Sequence, residues 1–154
     1  MRMRTMAALA LGAGAAAGAA LADDGAFGFW RVESGAAVVE IAPCGEAACG
    51  RIVGLRDPLG ANGAPLRDRR NPDAALRDRP ICGMALLGGF TRDGNGSGDA
   101  WEGGTIYSAE DGETYSATMR LDAPDALRLR GYVGAPLFGA TQRWRREAGP
   151  GGGC

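Results

Sequence analysis

The chain has 154 residues, 23% of them charged, and a formal charge of −1. It contains no His, which excludes histidine general bases, Ser-His-Asp and Cys-His catalysis, and imidazole metal ligands. The net negative balance, which deepens once the predicted leader is removed, argues against a nucleic-acid or anionic-membrane surface.

Residues 1–22 are predicted to be a cleaved signal peptide. Arg2 and Arg4 precede an uncharged stretch over 6–21, and Ala20-Leu21-Ala22 supplies the small-x-small cleavage pattern. The stretch is shorter than the roughly 20 residues a membrane span needs and is mostly Ala and Gly. Cleavage takes Arg2 and Arg4 away and leaves a charge of −3 on a 132-residue mature chain, the size of one domain. No Cys follows the cut, so no lipid anchor is expected there, and no transmembrane segment is expected in the mature chain. The predicted location is periplasmic or secreted. In that compartment Cys44, Cys49, Cys82 and Cys154 read as disulfide chemistry rather than metal ligation.

The mature chain reads as short strands separated by Gly, Asp, Pro and Asn. Eight are predicted, at about 27–33, 36–42, 49–55, 83–91, 101–107, 113–121, 126–132 and 138–146. In the sixth, Tyr115, Ala117, Met119 and Leu121 alternate with Thr114, Ser116, Thr118 and Arg120. In the seventh, Leu127, Leu129 and Val133 alternate with Arg128, Arg130 and Tyr132. Period two with one polar face means half-buried antiparallel strands. Hairpin-length connections join most of them, which favours an all-β, eight-stranded antiparallel up-and-down barrel over residues 23–147. Residues 148–154, Gly-rich and ending in Cys154, are expected to be disordered, leaving Cys154 as a free thiol or a bond between chains.

A register that sets Cys44 opposite Cys49 makes Glu40 and Arg51 diagonal neighbours and turns Val39, Ile41 and Ile52 to the other face. This supports a Cys44–Cys49 disulfide, with Cys82 as a competitor for either partner. The long connection, about 56–82, is rich in charges of both signs. Behind Asn71-Pro72, a short helical turn is expected over Asp73–Asp78, with Asn71 as cap. Arg77 and Arg79 are read in two ways: a lid gripping an anionic ligand group, or a solvated ion-pair network. The Asp93–Asp99 run spaces oxygens like a calcium loop, but Gly104 stands where the bidentate Glu belongs. It reads as a hairpin loop, and no metal or other cofactor is expected. Glu40, Asp68 and Asp73 are the carboxylates considered for acid–base work, but no spacing pairs them.

Two resemblances follow from these residues. Gly28-Phe29-Trp30 at the first strand is similar to the G-x-W element of lipocalins. Their signature implies an Arg near the end of the last strand, Arg143 or Arg145, stacked on that indole to close the barrel floor. The strings Val39-Glu40-Ile41, Cys44-Gly45, Cys49-Gly50-Arg51, Asn71-Pro72-Asp73, Arg79-Pro80-Ile81-Cys82-Gly83, Arg130-Gly131-Tyr132 and Leu137-Phe138-Gly139 resemble domain-of-unknown-function family 2147. That family is bacterial, exported and lipocalin-like. Ala140 departs from its pattern, which often has a basic residue there, and the Asp93–Asp99 run is longer than usual.

The expected function is that of a non-catalytic barrel binding a small apolar or amphipathic molecule in its mouth. The candidate ligand contacts are Trp30, Trp101, Tyr107, Tyr115, Arg77 and Arg79; the structural positions are Gly28, Trp30, Arg143, Arg145, Asn71 and Asp73. The bland reading of the aromatics is plain core. The alternative function is an envelope interaction module using the 56–82 loop.

Overall fold

The computed structural model describes residues 25–94 and 98–154. The predicted leader, and residues 95–97 of the calcium-like run, lie outside them. Eight strands follow in chain order: β1 (Gly28–Arg31), β2 (Ala37–Cys44), β3 (Ala47–Leu55), β4 (Ala85–Arg92), β5 (Ala100–Ser108), β6 (Glu113–Ala123), β7 (Ala126–Tyr132) and β8 (Gly139–Glu147). Each pairs antiparallel with the next, and β8 pairs with β1 to close an up-and-down barrel. The period-two pattern is what closes it: Val39, Ile41, Ala117, Met119, Leu127 and Leu129 are all buried in one core, while the intervening positions face out.

The β2–β3 register differs from the expected one by a single step on each strand. Ala42 faces Cys49 and Cys44 faces Ala47, so Glu40 stands directly opposite Arg51 and accepts from its Nε and Nη2 at 3.0 and 2.9 Å. Cys44 and Cys49 are diagonal neighbours on the same outer face, with Cα atoms 5.8 Å apart, and they are bonded. Direct ion pairing of Glu40 with Arg51 and a diagonal disulfide satisfy the hairpin together, and a bulge lies farther along at Val38/Val39.

The barrel end holding the β2–β3, β4–β5 and β6–β7 turns is plugged. Trp30 is fully buried there and donates its indole N–H to the Ala26 carbonyl at 2.7 Å. The guanidinium over this ring belongs to Arg146, 4.3 Å from the centroid, not to Arg143 or Arg145. The reason is parity. Trp144 points into the core, so Arg146 does as well, whereas Arg143 and Arg145 point to solvent. Arg146 stands directly across from Trp30 in the β1–β8 ladder. It donates to the carbonyls of Pro124 (2.6 Å), Phe27 (2.8 Å) and Gly25 (2.6 Å). Gly28 is required beside it: its φ is +123°, and a Cβ would stand 3.0 Å from an Arg146 nitrogen.

The carboxyl-terminal segment has no regular structure, but it is not the free tail its composition suggests. Cys154 is bonded to Cys82, which leaves neither a free thiol nor a competitor for Cys44 and Cys49. Residues 148–154 run across the outside of β1–β3, with Gly151 beside Val38 and Gly153 beside Leu55. Val38 points outward yet is only 2% exposed, because this strap covers it. A side chain at Gly54 would overlap the Pro150 carbonyl oxygen.

Replacing Arg146 by Gln is expected to lower unfolding free energy by about 1–3 kcal/mol, since charge-assisted bonds and a stacked cation are lost. Arg143→Gln and Arg145→Gln should each shift it by less than about 0.5 kcal/mol, the usual size for surface changes. Urea unfolding of the three variants checks the assignment.

Candidate functional site

The opposite end of the barrel is open. It carries the β1–β2 turn, the 56–84 loop, the β5–β6 turn and the β7–β8 loop. A cavity of about 460 Å³ lies there, with an apolar wall that includes Ile52, Leu66, Ile81, Met84, Ile106 and Trp144. Arg67 and Glu110 are its charged lining residues. A second cavity of about 310 Å³ adjoins it, sharing Ile106, Ser108 and Gln142 and extending past Tyr115, Leu129 and Phe138. Both volumes fall within the range of small-molecule sites.

Residue size along β8 decides where the space begins. Its inward positions are Ala140, Gln142, Trp144 and Arg146. The last two fill the lumen toward the floor. Gln142 accepts the Trp144 indole N–H at 2.8 Å, fixing the ring as a partition. Ala140 and, on the neighbouring strand, Gly131 leave the mouth half unfilled. Ala140 thus sits on the cavity wall.

Of the sequence candidates, Tyr107 and Tyr115 border the cavities. Trp30 and Trp101 do not: both are buried in the floor half, and Arg92 lies 5.2 Å from the Trp101 ring centroid. Arg77 and Arg79 are outside both linings, because each is bonded within the long loop. Trp144, one of the aromatics weighed as cavity lining, is on the wall, and the wall residues missed were Leu66, Ile81, Met84 and Gln142. The usable signal was apolar residues inside an otherwise charged loop, and the inward parity set by Trp144.

The long loop is fastened over the rim by a buried carboxylate. Asp68 has no exposed surface. It accepts from Tyr107 Oη at 2.6 Å, Asn71 Nδ2 at 2.8 Å, and Arg79 Nε and Nη2 at 2.9 and 2.8 Å. Arg77 donates to the Asn71 carbonyl at 2.8 Å. Asn71 does not cap the short helix. That role falls to Asp73, which accepts from Ala75 N at 2.9 Å ahead of a 3-10 turn over Ala74–Leu76. Asn71 Oδ1 instead accepts from Asp73 N at 2.8 Å, and its amide is turned to Asp68.

Burial pushes the Asp68 carboxyl upward, but hydrogen bonds from Tyr107, Asn71 and Arg79, together with the Arg79 charge, outweigh it and hold the group below the usual carboxylate range. Burial first, and then the bond to Asp68, push the Tyr107 hydroxyl up. Asp68 is thereby held charged and Tyr107 neutral, and both titrations move away from pH 7, the opposite of what acid–base chemistry there requires. With Glu40 paired to Arg51 and Asp73 capping, each of the three carboxylates considered has a structural partner.

Asp68→Asn is expected to destabilise the fold by about 2–3 kcal/mol, discounted from a fully buried pair because Arg79 is one-third exposed. The sign of the pH effect follows from a depressed carboxyl. Its stabilisation is complete above the ordinary carboxylate range of about 4 and is lost as pH falls through the lower folded value. Thermal melts from pH 7 to pH 2, which should show a weaker acid dependence for the Asn variant, check this.

Comparison with known proteins agrees with this fold. No curated protein matches the chain. A solved structure described as protein HP1028 from the human pathogen Helicobacter pylori, belonging to the lipocalin family, superposes with a TM-score of 0.66 at 20% identity, covering 79% of this chain and 82% of that one. At this identity the likeness speaks for the fold. Residues 28–146 match the family described as uncharacterized protein conserved in bacteria (DUF2147), and the chain belongs to that family.

Proposed function

We propose that this protein is an exported binding protein that holds a small apolar or amphipathic molecule in the barrel mouth. The observation that carries the reading is the division of the lumen: a floor plugged by Trp30 and Arg146, and above Trp144 an open, largely apolar cavity of about 460 Å³. Apolar wall drives burial of an apolar group. The polar groups at the rim, Gln142, Ser108, Arg67 and Glu110, suit a ligand with one polar end. Export is supported by the leader pattern of residues 1–22 and by two disulfides. The interaction-module reading is less well supported, since Arg77 and Arg79 turn to groups of their own loop.

Native mass spectrometry of protein purified from its own cells is expected to show a retained small molecule. Ile106 lines both cavities, so Ile106→Trp should obstruct the space they share and weaken retention at a cost of about 1–3 kcal/mol in stability. A wild-type chain that carries no adduct and takes up no apolar probe would contradict the proposal.

A further inference from the structure

The outer wall of β6–β8 carries a row of arginines that the net charge conceals. Arg120 stands directly opposite Arg128, and Arg128 directly opposite Arg143. One outward position toward the floor, Arg145 faces Ala126; one toward the mouth, Arg130 lies between Thr118 and Thr141. Like charges set directly opposite destabilise a sheet. Compensation is partial. Asp122 takes both Nε and Nη2 of Arg128, the first at 3.0 Å. Glu33 accepts the backbone N–H of Arg143 at 2.8 Å. Glu147, near Arg145, is bonded to Arg31 at 2.5 Å. Arg120, Arg143 and Arg145 make no side-chain ion pair among the described residues.

The loop above this wall, joining β7 to β8, has an apolar tip. Val133, Leu137 and Phe138 are 66%, 80% and 69% exposed. Arg130 holds the loop in shape, donating to the Pro136 carbonyl at 2.6 Å and to Thr141 Oγ1 at 2.8 Å. Val133 and Phe138 also border the smaller cavity.

We propose that this side of the barrel docks on an anionic lipid bilayer. Arg120, Arg143 and Arg145 lie over the phosphate layer, and Val133, Leu137 and Phe138 enter the headgroup boundary. A cationic wall continuous with an exposed apolar tip matches the two layers such a surface presents, anionic outside and apolar beneath. The apolar tip is what selects lipid over another polyanion, since a nucleic acid or acidic polysaccharide would use the arginines alone. The overall charge is no obstacle, because fields beyond a screening length of about 8 Å are lost at physiological salt and the bilayer meets only the local wall. Docking in this pose puts the cavity mouth at the membrane. The inference rests on surface charge and exposure, not on the cavity being filled.

Vesicle co-sedimentation of wild type, the triple variant Arg120→Gln/Arg143→Gln/Arg145→Gln, and the double variant Leu137→Ser/Phe138→Ser tests it. Wild type should bind phosphatidylglycerol-containing vesicles and not pure phosphatidylcholine vesicles. The triple variant should lose at least about tenfold in affinity, with a melting temperature equal to or above wild type because opposed like charges are gone. The double variant should also lose affinity while remaining folded, and Phe138→Trp emission should shift to the blue on binding. Undiminished binding by the triple variant, equal binding to neutral vesicles, or tighter binding to a DNA duplex than to anionic vesicles would overturn the proposal. Arg120, Arg143 and Arg145 lie outside both cavity linings, so the triple variant should keep ligand retention while losing the vesicles, and the two readings fail separately.

Discussion

The contact between Trp30 and Arg146 joins the first strand to the last. An eight-stranded sheet has two edges, and leaving them unpaired exposes rows of backbone donors and acceptors. Here the edges meet with Trp30 directly opposite Arg146. The indole fills the lumen, and the guanidinium covers it while satisfying three backbone carbonyls of the floor. Closure of the sheet and closure of one barrel end are therefore one event. The other end depends on it: with the floor occupied by Trp30, Trp101 and Phe90, the cavities of about 460 and 310 Å³ lie where the inward side chains become small.

The mouth is held open by a different kind of order. Its wall is built partly from a loop, and a loop crossing a barrel rim carries polar backbone that must be fixed. Asp68 does this from a fully buried position, drawing Tyr107 from the wall and Asn71 and Arg79 from the loop into one hydrogen-bonded cluster. Leu66 and Ile81 flank the cluster in sequence and are thereby set against the cavity. A second anchor comes from the Cys82–Cys154 bond, which ties the end of the same loop to the strap over β1–β3. The loop is thus fastened through its middle and at its end, which suits a preformed pocket rather than an induced one.

The strands were legible in the sequence because alternation of Val, Ile, Leu and Met with polar residues has a single physical meaning in a half-buried sheet. The pairing of strands was less so. The run Arg143-Trp144-Arg145-Arg146 offers an Arg on either side of any frame, and only the ladder against β1 selects Arg146. The β2–β3 register could be argued from cysteines or from charges; the charges prevailed, and the disulfide accommodated a diagonal. Asp68 was hidden among interleaved charges, since burial of one carboxylate depends on Tyr107, which lies 39 residues away. The strap was misread because Gly-rich composition signals disorder, whereas here Gly54 and Gly151 permit close approach of strap and strand. The arginine row was invisible to net charge for the same reason: it exists only once three strands are in register.

The central claim is that the lumen is divided, with a ligand-accessible half above Trp144 and a closed half below. Two core methionines report on the halves separately, Met84 on the cavity wall and Met119 beside Trp101 in the floor. Methyl NMR of the protein titrated with dodecanoate measures both at once. The account predicts a saturable shift of the Met84 methyl and the Trp144 indole with Met119 unmoved. Shifts of Met119 equal to those of Met84, or none at either, would contradict it.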